Sequence, residues 1–356
     1  MIRKIILIIL CIAAAFAVWR LSLVSVSSPS PVHSTSSAPS SGSTATGTTP
    51  PATLTIGWTG DMVPATDIDY DLTVLNNTTE QLETPDLMIG NLEGAFAPAG
   101  LTSKCSAGSS NCFAFSGDSS FADTLKAAGF DFISLINNHS LDYGTAGLKD
   151  TEAQLTRVGL PYIAPDKPTA SITVNGVTIG IMGVSSNEPA SSITNYAYIA
   201  QTVETLKKQN DIVIVIFHGG AEGNNDTAVT GGEEYEGTED RGNVQAVAYT
   251  AINAGADLVL GDGPHVLRKV ENYHNGLIAY SLGNFVGGNG RLATTGNLGL
   301  GGIFTATFNL STSSAGAITE TISPNYNFVS VLLDSTGAPS LDPTNKAQQL
   351  LDSLSK

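Results

Sequence analysis

Asp211-Ile-Val-Ile-Val-Ile-Phe217, running directly into His218-Gly219-Gly220, is the stretch whose reading decides the fold. It is apolar without alternation, so a strand made from it is buried on both faces, and it stops at a polar group flanked by glycine. The same design recurs along the chain. Leu54-Thr-Ile-Gly-Trp58 runs into Thr59-Gly60-Asp61-Met62, Pro85-Asp-Leu-Met-Ile89 into Gly90-Asn91-Leu92-Glu93-Gly94, and Asp131-Phe-Ile-Ser-Leu-Ile136 into Asn137-Asn138-His139. Asp257-Leu-Val-Leu260 runs into Gly261-Asp262-Gly263-Pro264-His265.

Helical spacing fills the intervals at 71–82, 121–128 (stopped by Gly129), 145–158 (ended by Gly159 and Pro161), 196–209 and 244–254. Asn175-Gly176 marks a hairpin within 171–184. Stretches 266–271, 277–280, 302–310 and 317–322 read as strands of an antiparallel finish. The pattern predicts one globular α/β domain over residues 53–333, with 334–356 left as a C-terminal tail.

In open α/β sheets, ligands bind beyond the carboxyl ends of the strands. Asp61, Asn91 with Glu93, Asn138 with His139, His218 with Glu222, and Asp262 with His265 are therefore expected at one sheet edge. Carboxylates, an amide oxygen and imidazoles suit a hard or borderline divalent cation such as Mn, Mg, Fe or Zn. Three of the chain's five histidines fall in these clusters, while His33 and His274 lie elsewhere. Each residue also has a plainer reading: Asp61 as a helix cap, Glu93 as a turn carboxylate, His218 as a satisfied core histidine. The run Glu233, Glu234, Glu236, Glu239 and Asp240 reads as a solvated acidic loop that could cover the site.

The N-terminus is an export or anchoring signal. Arg3 and Lys4 precede an apolar run from Ile5 to Trp19, closed by Arg20. Ala15-Phe16-Ala17 suits a cleaved signal peptide, whereas Val18-Trp19 suits an uncleaved anchor within residues 1–25. Either sends the rest of the chain across the membrane. Residues 26–52, rich in Ser, Thr and Pro, read as a flexible linker. In an oxidising compartment Cys105 and Cys112 are expected to pair as a disulfide clipping a surface loop. The sequence carries 16 Lys plus Arg against 32 Asp plus Glu, a formal charge of -16. So acidic a chain lacks the basic footprint of a nucleic-acid binder, and it holds an anionic polymer poorly unless a cation inverts the local field. No Gly-x-Ser-x-Gly elbow and no Gly-x-x-x-x-Gly-Lys loop is present, which excludes the common serine hydrolase and nucleotide-driven ligase designs.

Taken in order, Gly60-Asp61-Met62, Asn91-Leu92-Glu93-Gly94, Asn137-Asn138-His139-Ser140-Leu141-Asp142-Tyr143-Gly144, His218-Gly219-Gly220-Ala221-Glu222, Pro264-His265-Val266 and Tyr280-Ser281-Leu282-Gly283-Asn284-Phe285 resemble the signatures of the CapA-type capsule (poly-γ-glutamate) synthesis proteins. That family is in turn similar to calcineurin-like metallophosphoesterases. The resemblance implies a four-layer α/β/β/α sandwich and a metal site at the strand ends. It implies Asp61, Glu93, Asn138, His218, Asp262 and His265 as metal ligands, His139 and Glu222 as catalytic groups, and Asn91, Asn137, Ser281 and Asn284 as substrate contacts. It also implies an anionic capsule polymer or a phosphoester as substrate, and other capsule-synthesis subunits as partners. The phosphoesterase pattern has histidine where this chain has Val63, and usually again where it has Asp262 or Gly263. A single metal, or a site that only binds, fits these departures as well as a two-metal hydrolase does. The open functions are thus a metal-dependent hydrolase or transferase, a membrane-tethered accessory that binds an anionic polymer, and a periplasmic metallophosphatase.

Overall fold

Strand β1 (Thr53–Val63) leads through the single-turn helices α1 (Ile68–Asp71) and α2 (Thr79–Leu82) into β2 (Leu87–Leu92). A short parallel pair, β3 (Ala95–Phe96) and β4 (Ser116–Gly117), precedes α3 (Ser120–Ala127), β5 (Phe132–Ser134), α4 (Gly144–Arg157) and β6 (Tyr162–Ile163). The hairpin β7 (Thr169–Val174) and β8 (Val177–Ser185) is followed by α5 (Tyr196–Lys207) and β9 (Ile212–His218). Next come a small hairpin of β10 (Glu234–Glu236) and β11 (Glu239–Gly242), helix α6 (Val244–Asn253) and β12 (Leu258–Asp262). The chain then forms β13 (Val270–Tyr273), β14 (Gly276–Ala279), β15 (Asn284–Gly287), β16 (Leu300–Thr312), β17 (Ile318–Leu333), β18 (Pro339–Leu341) and α7 (Lys346–Leu354). This computed structural model describes residues 52–106, 108–109, 112–186, 191–312 and 318–356. The expected N-terminal segments 1–25 and 26–52 lie outside the described residues, apart from Ala52. No helix among the described residues is long and apolar enough to cross a membrane.

Two large sheets result. One runs β18-β17-β16-β1-β2-β5-β6, with β15 also paired to β1, and the other runs β13-β14-β12-β9-β8-β7. Their centres are parallel and wholly buried, as unbroken apolar strands require. Apolar side chains form three clusters. Ile56, Trp58 and Ile89 of the first sheet pack with Ile181, Ile214 and Leu260 of the second. Phe121, Leu125, Leu148 and Leu155 of α3 and α4 pack on the first sheet, and Ile199, Val203, Val247 and Ala251 of α5 and α6 on the second. Trp58 joins the sheets just below their ends, its indole N–H reaching the Gly261 carbonyl at 3.4 Å.

Three expectations need correction. The helix expected over 71–82 breaks between α1 and α2, where Asn76-Asn77-Thr78 prefers turns and the Thr78 hydroxyl donates to the Leu75 carbonyl at 3.1 Å. The closing segment is only partly antiparallel: β14 pairs parallel with β12, and β15 parallel with β1, the latter setting Asn284 beside Asp61. Residues 334–356 are no tail. β18 extends the first sheet, and α7 buries Ala347 and Leu351 in the core between the sheets. Ser330 and Asp342 anchor that helix, the Ser330 hydroxyl accepting the Ala347 amide at 3.1 Å and the Asp342 carboxylate the Lys346 amide. The expected hairpin is present at Asn175-Gly176, both left-handed as its two-residue turn demands, and Cys105 is bonded to Cys112.

Candidate metal centre

Backbone packing sets the site before any side chain does. A Cβ on Gly60 would sit 1.8 Å from the Gly283 carbonyl oxygen, so only glycine lets β1 pass there. The Asp61 amide donates to that same oxygen at 3.0 Å, which fixes Asp61 at the strand end. His265 adopts a φ of 60°, a costly conformation for a residue with a side chain. Its Nδ1 is held 2.8 Å from Asn284 Oδ1 and 3.1 Å from Asp61 Oδ2, contacts that over-determine the strained turn.

Side chains from both sheets converge here. Asp61, His218 and Asp262 form one group of donors whose ligand atoms lie within 4.8 Å of one another, and Asp61, Glu93 and His265 form a second. Glu93 Oε1 is 3.8 Å from both His218 Nε2 and His265 Nε2, and 4.0 Å from His139 Nε2. These spacings are too long for hydrogen bonds and suit donors that share a cation. Both Glu93 oxygens, His218 Nε2, Asp262 Oδ2 and Asn138 Oδ1 are buried without a hydrogen-bond partner. An orphaned buried polar atom costs about 1–3 kcal/mol, so several in one place indicate that the partner is a ligand. The residues present fit a divalent cation of the oxygen-and-nitrogen class.

The electrostatics point the same way. Burial, then the Asp61 charge, pushes the Glu93 carboxyl well above its usual range, and burial with Asp61 and Glu93 does the same to Asp262. Burial would also raise Asp61, but the His265 hydrogen bond and the His265 and His218 charges outweigh it and hold it low. Burial, then the Arg241 charge, pushes the His218 imidazole down. His265 is lifted to about 10, because Glu93 and the Asp61 hydrogen bond overcome the effect of burial. Its proton balances excess negative charge, which is the role a metal ion takes at such a centre.

The centre opens into a cleft of about 410 Å³ lined by His139, Glu222, His265, Asn284, Phe115 and Arg291 among others. His139 Nδ1 lies 2.7 Å from Asp142 Oδ2, and its ring packs on Phe115 at 4.2 Å. Asp142 also accepts the Phe115 amide at 2.6 Å and pairs with Lys104 at 2.5 Å. Glu222 is held by the buried Arg241 at 2.9 Å, and a second contact at 3.2 Å ties Arg241 to Glu239. Asp142 and Arg241 are the residues that sequence reasoning missed. The His-x-x-Asp spacing of His139 and Asp142 could have revealed the first, whereas nothing in the acidic run around Arg241 marks it as buried.

Three of the expected substrate contacts, Asn91, Asn137 and Ser281, already have hydrogen-bond partners within the chain. Asn91 donates to Asp61 Oδ1 at 2.8 Å and accepts from Asn137 at 2.9 Å, while Asn137 also donates to the Leu92 carbonyl. Both side chains are buried, and Asn91 braces Asp61. Ser281 is buried and its hydroxyl accepts the Gly283 amide at 3.2 Å. The acidic run is likewise only partly solvated: Glu234 is buried against Arg268 at 2.7 Å, although Glu236 reaches the cleft.

The chain matches the family described as bacterial capsule synthesis protein PGA_cap over residues 55–289, and it belongs to that family. It is 34% identical over 179 residues to the PGA biosynthesis protein CapA of Bacillus subtilis (strain 168), covering 46% of this chain and 44% of that protein. It is 31% identical over 182 residues to the capsule biosynthesis protein CapA of Bacillus anthracis, covering 46% and 41%. The match thus spans less than half the length of these curated relatives. Among solved structures, GAP50, the anchor in the inner membrane complex of Plasmodium, aligns with a TM-score of 0.41 at 13% identity, covering 86% of this chain and 96% of that one. The purple acid phosphatase PPD1 of yellow lupin aligns at 0.37 and 12%, covering 76% and 53%. At these scores neither likeness bears on function.

Proposed function

We propose that this domain is a divalent-metal hydrolase or transferase of capsule-polymer synthesis, acting on a polymer of the poly-γ-glutamate type outside the cytoplasmic membrane. In this reading the two sheets and their flanking helices are the α/β/β/α layers of a metallophosphoesterase-like fold, and the N-terminal apolar run delivers or tethers the domain. The single observation that carries the proposal is the convergence of Asp61, Glu93, His218, Asp262 and His265, with several inward atoms buried and unpartnered.

These five side chains, with Asn138 Oδ1, would hold the metal. When bound, it supplies polarisation of a carbonyl or phosphoryl oxygen and acidification of bound water. The chain's own residues do the rest. Asp142 orients His139 by accepting from its Nδ1 and leaves the Nε2 lone pair to take a proton from an attacking water or hydroxyl at the cleft. Asn284 and Asp61 hold His265, and Arg241 aims Glu222 at the substrate. The aromatic floor of Phe115 limits water around His139.

Elemental analysis of the purified chain, beside His218→Ala, tests the metal centre: stoichiometric Mn, Mg, Fe or Zn is expected in the native protein and loss in the variant. Cleavage of a γ-linked glutamate oligomer and of an aryl phosphodiester tests the chemistry, with His139→Ala expected to lower turnover about 100-fold or more. Metal-free native protein sinks the centre. Metal-loaded protein that binds polymer yet turns over neither substrate makes the chain an accessory instead.

A further inference from the structure

One basic side chain of the cleft has no part in the chemistry above. Arg291 lines the cleft half-buried; its charge is felt by the buried Asp71 carboxyl, but among the described residues no carboxylate stands within ion-pair distance of it and its guanidinium makes no hydrogen bond. Other basic residues in this region are already paired: Lys104 with Asp142, Arg241 with Glu222 and Glu239, Arg268 with Glu234. In a chain of net charge -16, an unpaired guanidinium in a concave site is a place kept for an anion.

Its placement is built. The Arg291 and Leu292 amides both donate to the Gly287 carbonyl at 3.0 Å, and Gly287 is paired to Val63 of β1. Gly288, Asn289 and Gly290 are all left-handed, and Asn289 is tied to Asp67 at 3.1 Å. The cleft around the guanidinium is apolar at Phe113, Phe115, Leu292 and Leu298, and acidic at Glu222 and Glu236. The apolar walls suit the methylenes of the chain that carries the anion. The acidic ones favour a singly charged anion over a doubly charged phosphomonoester, and the guanidinium fork matches a planar carboxylate.

We propose that Arg291 is the substrate-anchoring residue of this cleft, taking up a free carboxylate of an amide-linked chain while the adjoining part of that chain lies at the metal centre. This rests on the hydrolase or transferase reading, but its test does not require turnover. The purified full chain is titrated calorimetrically with a γ-linked glutamate oligomer and, separately, with a glycerol-phosphate oligomer. Wild type, Arg291→Lys and Arg291→Glu are compared, and metal content and melting temperature are measured on the same samples. Binding of the glutamate oligomer is expected to weaken about tenfold to a hundredfold in Arg291→Glu and by less in Arg291→Lys, with metal and melting unchanged. Glutamate binding within twofold of wild type in Arg291→Glu, no glutamate binding by the wild type, or an effect confined to the phosphate oligomer would each overturn the assignment. A wild type that holds no metal yet binds glutamate through Arg291 sinks the metal reading and leaves the anchor standing.

Discussion

Replacing Asp142 by alanine removes more than one carboxylate, and the cost can be worked out from its contacts. Asp142 is fully buried; it accepts the Phe115 amide at 2.6 Å and His139 Nδ1 at 2.7 Å, and it pairs with Lys104. Stranding the buried amide and the imidazole N–H costs about 1–3 kcal/mol each. The half-exposed Lys104 contributes less than about 1 kcal/mol. Relief from burying a carboxylate offsets part of this, leaving a net loss of roughly 3 kcal/mol. For a domain of this size that lowers the melting temperature by about 6 °C. Asp142→Asn keeps the shape, and its one carbonyl oxygen can take the Oδ2 place that accepts both donors while its NH2 faces Lys104, so a smaller loss is expected. Burial already holds the His139 imidazole below its ordinary range, and the Asp142 charge is what resists it. Both variants should therefore keep His139 neutral to still lower pH. Calorimetry, with nitrogen-15 NMR of the histidine ring for titration and tautomer, reads the two effects together. Melting within 1 °C of wild type and an unchanged His139 titration in Asp142→Ala would refute the role given to this carboxylate.

Two further outcomes follow from particular residues. Burial pushes the Asp71 carboxyl up to about 7; the Ala65 amide opposes this and the Asp118 charge adds to it. A raised folded value means its contribution is complete below about pH 4 and is lost as pH rises through 7. Asp71→Asn should therefore gain roughly 1–2 kcal/mol at pH 8 and flatten the melting curve between pH 5 and 8; an unchanged slope across that window rules this out. Leu351→Ala in α7 should cost about 2–5 kcal/mol in chemical denaturation, because its side chain lies in the inter-sheet core, and a loss under 1 kcal/mol would mean the helix is dispensable.

The parallel strands were legible because burial on both faces leaves unbroken apolar runs, and their polar ends stood out against them. Asp61, His218, Asp262 and His265 converge for that reason. Strand β15 was not legible as a partner of β1, since Asn284-Phe-Val-Gly287 is short, glycine-flanked and joined by contacts distant in sequence. The role of α7 was hidden similarly: its short apolar face gains meaning only once Ser330 and Asp342 hold its first turn. The hydrogen bonds that Asn91 and Asn137 make to Asp61 and to each other were not legible either, because sequence does not reveal whether an amide's polar ends are already satisfied.

Trp58 has one more consequence. Its indole spans the gap between β1 and β12, three residues before Asp61 on one side and one residue before Asp262 on the other. The thickness of that ring therefore acts as a gauge block for the distance between two of the five converging donors. Trimming it, at a position no substrate or solvent reaches, would let the jaws of the centre close or skew, so the interior of this protein is tuned along with its chemistry.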